Sequence, residues 1–435
     1  MSDDLKGRSE YLQIYRYWYP LALTWLMMAV EGPFLTAIAA RMPDPKINLA
    51  AFGIALAIGL MVESPVVMLL AAATRLVKCQ QSYKKLRKYS LYLSLAVSLV
   101  MVVLPLPGIY QLWTSLLDLP SDLLDVLQTA LILILPWPGM IGVRRFYQGV
   151  LIAQGQSKKL VPATLLRLLG MSITAGTLYY ADFVSGAGVA TASLGVGVTL
   201  EALYVVYLAR QQVDRLPPIC SDSLDDFSFK DFVSFYYPLA LTVVVSLSIQ
   251  PMISFAMSFG VEPIQSLAVV PVINGVVFFF RAMALSYQEV IIALLGKSET
   301  YYQPLKRFAL SLGAILTIVL LTIALTPLAD LWFIHVSGLT ASLTSFSRVP
   351  LLITFVIPAL SLWLCWQRSI CVHYKNTKPI TVASSIELFF VLLPLIGGIY
   401  FELALTGASL AMLSLVFGRL CANAYLHRMM KFHRT

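Results

Sequence analysis

The chain has 435 residues, 59% of them hydrophobic and 12% charged, with a mean hydropathy of +0.80 and a formal net charge of +9. About a quarter of an ordinary soluble domain is charged, so the composition excludes one and points to a polytopic membrane protein. The positive balance invites a nucleic-acid reading, but basic loops beside anionic lipid account for it, and no nucleic-acid partner is expected.

In chain order, residues 1–10 are polar and lack an apolar core followed by a small-residue cleavage site, so no removable signal peptide is expected. Apolar stretches long enough to cross a hydrocarbon core of about 30 Å as helices lie near 18–39, 49–74, 89–110, 124–143, 160–181, 187–209, 232–258, 266–295, 307–328, 345–366, 378–401 and 407–427. The expected fold class is therefore all-α, with twelve spans. Residues 210–231, with Pro217-Pro218 and the acids Asp222, Asp225 and Asp226, read as a linker. The other loops are short, which leaves no soluble domain to hold a separate enzyme.

Lys78, Lys84, Lys85, Arg87 and Lys88, then Arg144, Arg145, Lys158 and Lys159, and finally Arg428, Lys431 and Arg434 fall on one face. Arg41 and Lys46 fall on the other, beside Asp118, Asp122, Asp125, Asp182 and Asp330. The excess of Lys and Arg assigns the first face to the cytosol. A multi-pass protein of the plasma (inner) membrane is expected, with both termini cytoplasmic.

The five cysteines, Cys79, Cys220, Cys365, Cys371 and Cys421, sit at or near cytoplasmic ends of spans and imply neither a disulfide nor a metal cluster. The four histidines are scattered. Gly296-Lys297-Ser298 resembles the end of a phosphate-binding loop, but Ile291 stands where that loop begins with Gly. With no Ser/His/Asp constellation either, no enzyme, no metal and no cofactor are expected.

An internal repeat organises the chain. Tyr19-Pro20-Leu21-Ala22-Leu23-Thr24 recurs as Tyr237-Pro238-Leu239-Ala240-Leu241-Thr242, at an offset of 218 residues. At the same offset Pro33 falls on Pro251, Pro45 on Pro263 and Tyr83 on Tyr301; further on, Lys158 aligns with Lys378 and Tyr207-Leu208 with Tyr425-Leu426. Six spans per copy make the repeats parallel, related by an axis along the membrane normal. The expected division is a first lobe at 1–209, the linker at 210–231 and a second lobe at 232–435.

Charged residues inside the spans cost about 2.5–3.5 kcal/mol each on insertion scales, so they normally face a cavity or a partner. Nine are candidates: Glu31, Glu63, Arg167, Glu201, Arg281, Glu289, Arg348, Glu387 and Arg419, with Glu289 and Arg348 near span ends. In register, Glu63 meets Arg281, Arg167 meets Glu387 and Glu201 meets Arg419, so three positions carry opposite charge in the two copies. Two pairings stay open. Glu63 bridges to Arg281 across the lobes as a gate, or Glu63 pairs with Arg167 and Arg281 with Glu387 inside each lobe. Glu31 has Ile249 as its counterpart and precedes Pro33, which kinks the helix; it reads either as a proton or cation site or as a structural hydrogen bond. Thr24, Thr242, Gln250 and Asn274 are uncharged polar residues that line the same cavity or tie helix to helix.

Two six-helix lobes in parallel repeat, first helices bent at Pro33 and Pro251, and a linker between lobes resemble the MOP exporter superfamily, which includes the multidrug and toxin extrusion (MATE) transporters and lipid-linked oligosaccharide flippases. Pro20-Leu21, Glu31 followed by Ile38-Ala39-Ala40, and Leu49-Ala50-Ala51-Phe52-Gly53-Ile54-Ala55 resemble the progressive ankylosis family within it. Thr36 and Ala37 stand where that family carries a basic residue. The resemblance implies an alternating-access exporter of small organic or inorganic anions, of the citrate, nucleotide or pyrophosphate class. The MATE branch would imply cation-coupled drug efflux driven by H+ or Na+, and a third reading is a lipid-linked substrate flippase. The central cavity is expected among helices one, two, seven and eight, with Glu31, Glu63 and Arg281 as substrate or coupling contacts. Arg167, Glu387, Glu201 and Arg419 are the expected supporting or gating charges. A small-molecule substrate, the lipid bilayer and a monomeric state complete the expectation.

Overall fold

The computed structural model describes residues 2–432 apart from 118, 155, 157, 158, 220–227, 296–298 and 375–377. Side chains at 2–10, 20, 24, 289, 293, 431 and 432 also lie outside the description. Asp118, Lys158, Cys220, the acids at 222–226, Gly296-Lys297-Ser298 and Arg434 therefore fall outside the described residues, as do the side chains of Thr24, Glu289 and Lys431.

The chain is all-helical, with twelve helices long and apolar enough to cross a membrane. They are α1 (Tyr11–Arg41), α2 (Pro45–Leu76), α3 (Gln80–Val103), α4 (Ser121–Ala153), α5 (Leu160–Ala181), α6 (Gly186–Val213), α7 (Phe229–Met257), α8 (Pro263–Ile292), α9 (Glu299–Leu325), α10 (Ala341–His373), α11 (Lys378–Tyr400) and α12 (Gly407–Met430). A single β-bridge, Val261 to Thr406, is the only extended pairing among the described residues.

The repeat is visible in backbone geometry. Asp44 and Glu262, at equivalent places before Pro45 and Pro263, adopt φ of 54° and 51°. Asp182 and Glu402, before α6 and α12, adopt 48° and 47°. Non-glycine residues seldom take positive φ, so these paired exceptions mark turns that both copies build alike. The Asn48 Oδ1 atom accepts from the Ala187 N–H at 3.0 Å, and the Ser266 Oγ atom accepts from the Ala408 N–H at 3.0 Å. Each bond satisfies a first-turn amide of the last helix in its copy, which has no intrahelical partner.

Both first helices break where their prolines require it. The ring of a helical proline clashes with the carbonyl four residues earlier, which is Ala29 for Pro33 and Leu247 for Pro251. The regular helix stops at those two residues and resumes at Glu31 and Ile249.

The chain forms two compact units, one of Met1–Arg41 with Ala256–Thr435 and one of Met42–Phe255. Within each unit the first helix of one copy packs with later helices of the other copy. In the first unit the Trp18 indole N–H donates to the Met283 carbonyl at 3.3 Å and to Ser286 Oγ at 3.0 Å. In the second unit the Tyr236 hydroxyl donates to the Pro65 carbonyl. Trp18 and Tyr236 are repeat equivalents, as are Met283 and Pro65, so one contact is made twice with the copies exchanged.

Two sequence expectations change. Cys79 is disulfide-bonded, where none was expected from the redox argument. Cys79 caps α3, and the adjacent Gln80 N–H donates to the Pro217 carbonyl at 2.9 Å, so the linker is tied to this helix end. Arg144 and Arg145, expected in a basic loop, lie inside α4, which continues to Ala153. The loop reading took the drop in hydropathy as the end of the span, whereas Glu201 pairs with Arg144 inside the fold.

Candidate functional site

Each unit holds a buried charge cluster built from equivalent helices. In the Met42–Phe255 unit it draws on α2, α4, α5 and α6. Glu63 is the last residue of an α-helical segment of α2, just before the 3-10 turn Ser64–Val66, and it is buried. The Arg144 guanidinium donates to Glu201 Oε2 at 2.6 Å, Arg167 donates to the same atom at 3.4 Å, and Gln148 Nε2 donates to Glu201 Oε1 at 3.3 Å. Glu201 is 1% exposed. Arg145, Arg144 and Arg167 all act electrostatically on Glu63. This cluster thus sets three arginines against two glutamates.

The other unit assembles its cluster from α8, α10, α11 and α12. Arg419 and Glu387 form an ion pair at 2.7 Å. Arg419, Glu387, Cys365 and Arg368 act electrostatically on Arg281, and the Arg368 guanidinium donates to Ser384 Oγ at 3.2 Å. The fully buried Gln367 donates to the Asn423 carbonyl at 3.0 Å. Here three arginines face one glutamate.

The bridge Arg167–Glu201 in one copy and Glu387–Arg419 in the other joins the same pair of positions with the signs reversed. The sequence exposed the reversal but not this pairing. Glu63 and Arg281 fall in different compact units, and each is surrounded by charges of its own unit. Arg167 and Glu387 pair with Glu201 and Arg419 instead of with Glu63 and Arg281. An Arg–Glu pair between adjacent helices holds two side chains in place at short range.

Arg144, Arg145, Gln148, Gln367 and Arg368 were missed as cluster members. A signal was present for three of them: Arg144 and Arg145 precede Gln148 by four and three residues, a spacing that puts all three on one helical face. Among the described residues neither Arg145 nor Arg281 makes a salt bridge within 4.0 Å. The Nε atoms of Arg145, Arg368 and Arg419 and the Oε2 atom of Glu63 are buried without a hydrogen-bond partner among the described residues.

The remaining expected residues are dispersed. Glu31 is buried in the first turn of the resumed segment of α1, where the positive end of the helix dipole favours a carboxylate. Asn274 is half-buried in the same unit as Glu31 and Arg281. Thr242 and Gln250 are half-buried in α7 with the unit that holds Glu63, and Thr242 Oγ1 donates to the Pro238 carbonyl of its own helix at 3.0 Å. Arg348, exposed near a span end, forms a two-point ion pair with Asp330. A separate cavity of about 170 Å³ is lined by Leu295, Glu299, Tyr302, Ile370, His373 and Tyr374.

No protein-family model matches the sequence, and no curated protein matches it either. Solved structures do match. A multidrug resistance MATE family transporter of the MOP superfamily, in an inward-facing conformation, is 14% identical over 95% of this chain and 98% of its own, with a TM-score of 0.73. The lipid II flippase MurJ, in an inward closed conformation, is 14% identical over 95% of this chain and 87% of its own, also at 0.73. A MOP superfamily transporter from Pyrococcus furiosus, described as having a binding pocket of reverse polarity, is 13% identical over 98% and 96%, at 0.62. These matches give no support to the ankylosis branch. What they establish is the architecture: this chain is a multi-pass membrane protein with a MATE-like fold.

Proposed function

We propose that the chain is an alternating-access transporter that carries small organic or inorganic anions, of the citrate, nucleotide or pyrophosphate class, out of the cytosol. The observation that carries this reading is the arginine surplus of the two buried clusters, six arginines against three glutamates. Counting the charges of the spans gives no such sign, because it leaves out Arg144, which is buried, and Arg145 and Arg368, which are half-buried. A buried cation without a compensating partner is costly. A carboxylate or phosphoryl group supplies the missing negative charge, and guanidinium forks match it with two parallel donors. Arg145, with no salt bridge and an unused buried Nε, joins Arg281, Glu63 and Glu31 as a proposed substrate or coupling contact. The supporting charges are Arg167, Glu201, Glu387 and Arg419, whose ion pairs fix the orientation of their neighbours. The matched fold supports a transporter in general, and the ankylosis-like substrate class rests on the charge balance alone.

Two further readings each have one observation in their favour. The match to a lipid II flippase, together with buried arginines, suits an anionic lipid-linked head group. The buried Glu31 suits H+- or Na+-coupled efflux of organic cations. A thermal-shift screen of purified protein in detergent separates the three readings, using citrate, ATP and pyrophosphate, cationic dyes, and an undecaprenyl pyrophosphate lipid. Stabilisation by soluble anions that is lost in Arg145→Gln supports the proposal; stabilisation by cations that is lost in Glu31→Gln refutes it. Stabilisation by the lipid alone assigns a flippase.

A further inference from the structure

The two clusters are not equally balanced, and the imbalance is concentrated in the unit of Met1–Arg41 with Ala256–Thr435. Where the first copy places Glu63, the second places Arg281. Glu387 is committed to Arg419 at 2.7 Å, which leaves Arg281 and Arg368 with no salt bridge among the described residues. Among the described residues the Arg368 hydrogen bond goes to the neutral Ser384 Oγ, at 3.2 Å. The cluster thus carries a formal surplus of two positive charges at a depth where one ionised side chain is already expensive.

Donors are present as well as charge. Arg368 Nε and Arg419 Nε are buried and lack hydrogen-bond partners among the described residues. Space beside Arg419 is scarce. A Cβ on the adjacent Gly418 would stand 2.5 Å from Val391 Cγ2 and 2.7 Å from the Glu387 carbonyl oxygen, so α12 lies against α11 with no room for even a methyl group. Positive charge and unused donors call for an anion, and the close packing of α11 against α12 favours a small one.

We propose that Arg281, Arg368 and Arg419 form a binding site for a small inorganic anion of the chloride class, which offsets one of the two surplus positive charges. The proposal deepens the anion-transport reading but is tested apart from it, since binding is read without any transported solute. The first copy needs no such ion to the same degree, because Glu63 and Glu201 supply two carboxylates to its three arginines.

The test is a melting series of the full chain in detergent, exchanging sodium chloride for sodium gluconate at constant ionic strength. Chloride and bromide are expected to raise Tm saturably and gluconate to leave it unchanged. Arg281→Glu, which gives the second copy the charge that Glu63 gives the first, is expected to abolish the chloride-dependent rise. Arg368→Gln is expected to move the chloride midpoint upward by roughly tenfold, the equivalent of one modest ion contact. Superimposed chloride and gluconate melts of the wild-type chain overturn the proposal. So does a wild-type chloride response in Arg368→Gln, which carries the test alone if Arg281→Glu does not fold, and so does a response to inorganic phosphate but not to chloride.

Discussion

Glu201→Gln is the most informative single change, because Glu201 serves two arginines at once and is 1% exposed. Removing one partner of a buried ion pair costs about 3–5 kcal/mol, since the remaining charge is left uncompensated. The two arms differ in length, 2.6 Å to Arg144 and 3.4 Å to Arg167. At an effective dielectric constant of about 20 these separations correspond to gross attractions of about 6 and about 5 kcal/mol. The desolvation of Glu201 is common to both arms and cancels in the comparison, leaving a difference of about 1 kcal/mol in favour of Arg144. Double-mutant cycles isolate each arm: Glu201→Gln combined with Arg144→Gln, and Glu201→Gln combined with Arg167→Gln, each read by unfolding in mixed detergent and SDS. The coupling to Arg144 is expected to be the larger. A coupling to Arg167 equal to or greater than that to Arg144 refutes the assignment of Arg144 to the cluster interior and restores the loop reading.

Gly149→Ala and Gly418→Ala are expected to lower stability by about 1–3 kcal/mol through overpacking, measured by Tm. The added Cβ would stand 2.4 Å from the Leu70 carbonyl oxygen in the first case and 2.5 Å from Val391 Cγ2 in the second, whereas Gly32→Ala, with nothing within 4 Å, should leave Tm unchanged. Tyr236→Phe leaves the Pro65 carbonyl without its side-chain donor and should cost about 1–3 kcal/mol; Trp18→Phe, at the equivalent place, should cost a similar amount in the same melting assay. Reporter fusions at residues 2 and 432 are expected to place both termini in the cytosol; an external signal at either end contradicts the orientation drawn from Lys and Arg.

Much of the architecture was legible because duplication leaves a written record. Pro33 and Pro251 marked the same break in two helices, and the structure interrupts both four residues before the proline at Ala29 and Leu247. The twelve spans followed from hydropathy alone. What hydropathy hid was that Arg144, Arg145 and Arg368 stay inside their helices, the first buried and the other two half-buried: a window average registers an arginine as an interruption. The opposite-charge alignment exposed the sign reversal between Arg167–Glu201 and Glu387–Arg419. It did not expose the pairing, because sequence register says which positions are equivalent and not which are adjacent. The exchange of first helices between compact units was equally hidden, since it depends on where the Trp18 and Tyr236 donors find carbonyls and not on the order of spans.

The central claim, that the buried arginine surplus serves anion transport, is tested most directly in proteoliposomes. Flux of radiolabelled citrate and pyrophosphate is compared with that of a cationic dye, in the wild-type chain and in Arg145→Gln. The account predicts movement of an anion that falls at least roughly tenfold in the variant, the loss of about 1.4 kcal/mol or more of charge-assisted contact, with no movement of the dye. Transport of the dye without the anions, or anion flux undiminished in Arg145→Gln, would contradict it.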